Sequence, residues 1–83
     1  QYCFGVGCMI LAFVLANSVP DQSEWILHRI GEIEGVEEAY RIWGVYDIIA
    51  LVKAETIDEL KGIILQIRKV EHVLSTLTLM IIK

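Results

Sequence analysis

Apolar residues along the chain fall into short blocks separated by polar turns, and the spacing inside the blocks alternates between two periods. Residues 9–16, Met9 through Ala16, form one unbroken apolar run of the length of a buried strand, and Asn17, Ser18 and Pro20 follow as turn signals. From Asp21 the period lengthens. Trp25, Ile26, Ile30 and Ile33 recur at helical intervals, Asp21 and Glu24 have the spacing of a capping box, and Gly35 offers a stop, so a helix is predicted over 21–34. Residues 36–43 alternate imperfectly, with Glu38, Tyr40 and Arg41 among Val36, Ala39 and Ile42, as expected for a strand with one wetter face. Ile48 to Val52 is a second wholly apolar strand, joined to its predecessor as a hairpin through Gly44-Val45-Tyr46-Asp47. Thr56 and Glu59 repeat the capping-box spacing ahead of a helical stripe of Ile57, Leu60, Ile64 and Ile67 that runs to about Lys69, and residues 73–82 form a last strand.

The predicted order is strand, helix, strand, strand, helix, strand. This is the α+β, ferredoxin-like βαββαβ sandwich, an antiparallel four-stranded sheet with two helices on one face. Short connections and right-handed crossovers favour that topology over others built from the same elements. Two helices cover only one face of such a sheet, so a monomer should alternate apolar and polar residues along its strands. These strands do not: in the last one Leu77, Leu79 and Ile81 point one way, while Leu74, Met80 and Ile82 point the other with Thr76 and Thr78 among them. The second face therefore calls for a cover, and another copy of the same sheet is the simplest one, giving a homodimer. Burying about six aliphatic side chains per subunit at about 1.5–3 kcal/mol each would offset the cost of association.

Composition agrees. With 83 residues there is room for one domain, and the 55% apolar share exceeds the roughly 45–50% of ordinary soluble domains. The net charge of -4 and only seven basic residues, none in a run, argue against a nucleic-acid footprint. The first nineteen residues carry no charge, yet they lack a basic n-region and include Gln1, Tyr2, Gly5, Gly7, Asn17 and Ser18, which argues against a signal peptide or a membrane span and for a cytoplasmic protein. Residues 1–8 are expected to be a leader or upstream extension ahead of a domain at 9–83.

The chain offers little for catalysis. Cys3 and Cys8 make neither a disulfide framework nor a zinc site, and His28 and His72 lie far apart. Ser75, Thr76 and Thr78 lie on a strand without an evident base. Glu32, Glu34, Glu37 and Glu38 straddle a helix end and a strand as a solvated acidic edge, and Gly5 and Gly7 precede a strand, the wrong setting for a phosphate loop. No catalytic residue, metal or cofactor is expected. The most informative stretch is the Gly44–Asp47 turn: glycine permits the turn, Tyr46 offers a ring with a polar tip, and Asp47 can accept from backbone N–H groups or from a ligand ammonium. On residue types alone it also reads as a simple hairpin turn.

Trp43 before Gly44-Val45-Tyr46-Asp47, the helix exit at Gly35-Val36, Asp58-Glu59-Leu60 in the second helix and Thr76-Leu77-Thr78 in the last strand occur together in one order. Over residues 9–83 this resembles the effector-binding domain of Lrp/AsnC-type transcriptional regulators. The resemblance implies a sandwich that dimerises through its sheets, assembles into rings of dimers and binds amino acids at contacts between dimers. It matches Gly44, Tyr46 and Asp47 to the effector-binding turn, with Asp47 as the partner of an α-ammonium group, and Thr76 and Thr78 to a strand near that site; Val45 is less polar than the residue usual there. Too few residues precede the first strand for the helix-turn-helix of full-length members. The expectation is thus a stand-alone module that binds an amino-acid effector, does not touch DNA, and co-assembles with a full-length regulator. Two other readings stay open: a ligand-free adaptor or assembly subunit, and a small ferredoxin-like enzyme.

Overall fold

The computed structural model describes residues 9–82; the expected leader 1–8, with both cysteines, lies outside the described residues, as does Lys83. The elements are β1 (Ile10–Ser18), α1 (Ser23–Gly31), β2 (Val36–Arg41), β3 (Ile48–Ala54), α2 (Ile57–Arg68) and β4 (Val73–Met80). They form one antiparallel four-stranded sheet in the order β2-β3-β1-β4. The ferredoxin-like arrangement expected from the hydrophobic periods is the one observed.

The core follows from the period of two. Ala12, Val14 and Ala16 of β1 and Ile48, Ala50, Val52 and Ala54 of β3 are buried against Ile26 and Ile30 of α1 and Leu60, Ile63 and Ile67 of α2. Alanine recurs on the strands where isoleucine comes down from the helices, so large and small side chains interdigitate and the layers approach closely.

The intervening residues point to the other face, which no described element covers. In the observed register Phe13 lies between Leu51 and Leu79, and Leu15 between Ile49 and Leu77, so two apolar rows run across three strands. Leu77 and Leu79 remain 42% and 50% exposed. Beyond Leu51 and Ile49 the rows end on Glu38 and Tyr40 of β2.

Several boundaries differ from the expected ones: β2 ends at Arg41, β3 extends to Ala54 and β4 ends at Met80, and three further shifts have a clear cause. β1 continues through Asn17 and Ser18, which still pair with Ser75 and Val73 across a bulge, so the turn signals come into play only after them. The first helix is shorter at both ends. Gln22 occupies its N-cap without a side-chain hydrogen bond, and Asp21, at φ +71°, turns the chain instead of capping it. Helix α1 ends at Gly31, four residues before the glycine expected to stop it. Only the second capping-box spacing acts as one: Glu59 N donates to Thr56 Oγ1 at 3.0 Å, while Glu59 Oε1 accepts from the N–H of Glu55 at 3.0 Å.

Gly35 has a different task. Its φ of +102° steers the chain into β2, its carbonyl accepts from Lys53 N at 2.8 Å, and a Cβ there would collide with the Ile63 side chain. Gly35→Ala combines a left-handed backbone with overpacking and should cost about 2–4 kcal/mol, seen as an earlier urea midpoint with an unchanged slope.

Candidate functional site

The hairpin between β2 and β3 spans residues 42–47, and its base is held by three hydrogen bonds. Ile42 N donates to the Asp47 carbonyl at 2.9 Å, Asp47 N donates to the Ala16 carbonyl at 3.0 Å, and the backbone N–H of Ser18 donates to Asp47 Oδ2 at 2.8 Å. The Ser18 hydroxyl stands 3.5 Å from the same oxygen. The half-buried carboxylate is thus fixed by the end of β1, and Oδ1 has no protein partner among the described residues. Gly44, at φ +139° with open space around its Cα, forms the tip, and Trp43 and Val45 on either side of it are exposed. Tyr46 is half-buried. Asp47 shares a hollow of about 210 Å³ with Ser23, Arg41, Ile42 and Trp43. The Arg41 guanidinium at its rim stands 3.9 Å from Glu24.

Thr76 and Thr78 lie elsewhere. Their β-register partners are Ala16 and Val14, so both belong to the helix-covered face of edge strand β4, and β1 separates them from β3. At about 4.8 Å per strand, Thr76 is about 10 Å across the sheet from Ile48, next to Asp47. The two threonines line a second hollow, of about 490 Å³, with Ile64, Arg68, Val73, Leu74 and Ser75. The chain therefore holds Gly44, Tyr46 and Asp47 together at the hairpin and Thr76 and Thr78 together at the edge, without joining the two groups.

The remaining titratable residues are structural or solvated. Trp25 meets the His72 ring edge-on at 5.5 Å and carries Arg29 over its face at 5.6 Å, bracing the turn in which His72 takes φ +79°. His28 and Arg29 each lie 3.5 Å from Glu32 on the exposed side of α1. Among the described residues no cluster of three or more His, Cys, Asp or Glu side chains could hold a metal ion, and no helix is long and apolar enough to cross a membrane.

Tyr40 donates its hydroxyl proton to Glu38, and this bond, reinforced by the carboxylate's charge, raises the phenol's pKa above the usual 10.0. A folded-state value above the unfolded one means that the contribution is present below about pH 10 and is lost as pH rises through the folded value. Spectrophotometric titration should show one late-ionising tyrosine that disappears in Glu38→Gln.

An open-faced α/β sandwich with a projecting hairpin and two separate polar hollows belongs to the ferredoxin-like class. Within it, the profile of the Lrp/AsnC ligand binding domain matches residues 11–83, and the chain belongs to that family. A solved Thermus thermophilus protein is 33% identical with a TM-score of 0.85, the match covering 89% of this chain and 94% of that one. E. coli AsnC shares the fold at a TM-score of 0.83 and 24% identity; the match covers 89% of this chain and 51% of AsnC. A homocitrate synthase of Sulfolobus acidocaldarius is 48% identical over 58 residues, which are 70% of this chain. The chain spans only 12% of that synthase's length.

Ser18 and Arg68 escaped the sequence reading. Nothing in sequence couples Ser18 to Asp47, 29 positions away. Arg68 closes the last turn of α2, and its place beside the hollow depends on where α2 crosses the sheet.

Proposed function

We propose that this chain is a regulatory module that binds an amino acid at contacts between copies of itself. The observation that carries this reading is the Asp47 carboxylate, held by a backbone N–H at the base of a projecting glycine hairpin with its other oxygen open to a ligand. A carboxylate so fixed is a receptor for an ammonium group and loses little freedom on binding it. Membership of a ligand-binding family supports the same reading. The separation of Asp47 from Thr76 and Thr78 within one protomer supports a site completed by a second copy, and the two apolar rows supply a surface through which copies first pair. Through the same sheet the module would join full-length regulators of the family. The likeness to part of a homocitrate synthase supports a broader use, in which such a module serves a biosynthetic enzyme as a sensor.

Equilibrium dialysis of the purified oligomer against each of the twenty amino acids tests this. Retention of one or a few is the expected result. An intact oligomer that retains none would transfer the function to ligand-free assembly, the reading that the exposed Trp43 and Val45 favour.

A further inference from the structure

The hollow beside β4 differs in charge from the other hollows described. The groove between α1 and β2 is lined by Glu24, Glu32, Glu37 and Glu38, and the hairpin hollow sets Arg41 against Asp47. The two remaining hollows also include glutamates. The hollow of Thr76 and Thr78 is lined by one charged residue, Arg68, and by no carboxylate, and Thr76 and Thr78 share the face of β4 that borders it. Arg68 has no ion-pair partner among the described residues, in a chain whose net charge is -4. A guanidinium presents a planar fork of N–H donors that matches a carboxylate in bidentate fashion, and hydroxyls beside it can donate to the same oxygens.

We propose that Arg68, with the hydroxyls of Thr76 and Thr78, is the receptor for the α-carboxylate of the effector. This rests on the amino-acid reading above and adds a residue and a polarity to it. An amino acid carries its ammonium and carboxylate on one carbon, whereas Asp47 lies across β1 from this hollow. One ligand therefore meets the Asp47 of one copy and the Arg68 of another. Binding in that geometry recognises the zwitterion: amines without a carboxylate lose the Arg68 end, and carboxylic acids without an ammonium lose the Asp47 end. A purely structural Arg68 would serve the C-terminal end of the α2 dipole and leave affinity untouched.

The test is NMR titration of the isotope-labelled full chain with sodium acetate, with each amino acid, with the carboxamide of any that binds, and with inorganic phosphate. Acetate and the bound amino acid should give saturating shifts at the Arg68 side-chain N–H and at Thr76 and Thr78, and the carboxamide should bind at least ten times more weakly. Arg68→Gln should abolish the acetate response and weaken the amino acid at least tenfold without changing the dispersed spectrum of the folded protein; Arg68→Lys should restore part of the affinity. Equal binding of acid and carboxamide, or no saturating shift at these residues with any carboxylate, overturns the proposal. So does a response to phosphate alone. Acetate shifts without binding of any amino acid would leave the carboxylate receptor standing and refute the amino-acid reading. An amino acid that binds without moving Arg68 would do the reverse.

Discussion

If copies pair through the open sheet face, Leu51→Glu should give monomers and lower stability by about 3 kcal/mol or more, because it places a charge in the apolar row formed with Phe13 and Leu79, directly beside Glu38 of β2. The size of the effect depends on what covers that face. If the face of a single protomer meets water, a glutamate there replaces an exposed leucine and improves solubility at little cost to stability. If a second sheet covers it, the carboxylate loses its hydration beside the like-charged Glu38, and the burial of Leu15, Ile49, Leu77 and their neighbours is lost with the dimer. Sedimentation equilibrium separates the two cases. Leu65→Glu serves as a control, since Leu65 is exposed on α2, away from the open face, and the same charge there should leave both mass and melting temperature unchanged. An unaltered oligomeric mass for Leu51→Glu would mean that assembly, if any, uses another surface.

The second large effect concerns Asp47, where two substitutions separate folding from binding. Asp47→Ala removes the acceptor of the Ser18 N–H, leaves that part-buried donor unsatisfied, and should cost about 1–3 kcal/mol of stability in addition to affinity. Asp47→Asn keeps an oxygen for Ser18 but no longer offers a negative charge to an ammonium. It should therefore fold almost as well as the parent and bind an amino acid about 10- to 100-fold more weakly, the loss expected for a charge-assisted hydrogen bond of about 1.5–3 kcal/mol. Urea denaturation and titration calorimetry on the pair give the two quantities independently. Full affinity in Asp47→Asn would assign the carboxylate a purely structural role at the hairpin base.

Much of the fold was legible in the sequence because burial imposes its own period. Wholly apolar runs at Met9 to Ala16 and Ile48 to Val52 marked the two central strands, and these strands are the ones flanked by neighbours on both edges. The same runs identified a second apolar face before any register was known. Local chemistry was a poorer guide at the ends of elements. Asp21 and Glu24 have the same spacing as Thr56 and Glu59, yet only the second pair caps a helix, because Asp21 is drawn into a left-handed turn that leads the chain off β1. Gly35 looked like a helix stop and proved to be a point of close approach to Ile63, a contact between residues distant in the chain.

Of the candidate site, the hairpin residues could be picked out by type, since few side chains other than glycine suit φ +139° and few other than aspartate accept as a charged group. What fixes Asp47 could not be read, because the donor is a backbone N–H on another strand. Strand alternation placed Thr76 and Thr78 on the same face, but their neighbourhood with Arg68 depends on where α2 crosses the sheet. That crossing follows from packing of the whole core and has no local signature.

If an amino acid joins already paired copies into a larger assembly, thermal unfolding across the twenty amino acids, followed together with mass by light scattering, reports both steps. An effector that binds only the folded assembly, at a hundred times its dissociation constant, adds about 2.7 kcal/mol and should raise the melting temperature by several degrees. The predicted result is such a rise with one or a few amino acids, accompanied by a shift of the protein toward its larger assembly. A stable oligomer whose melting temperature and mass respond to none of the twenty would contradict it.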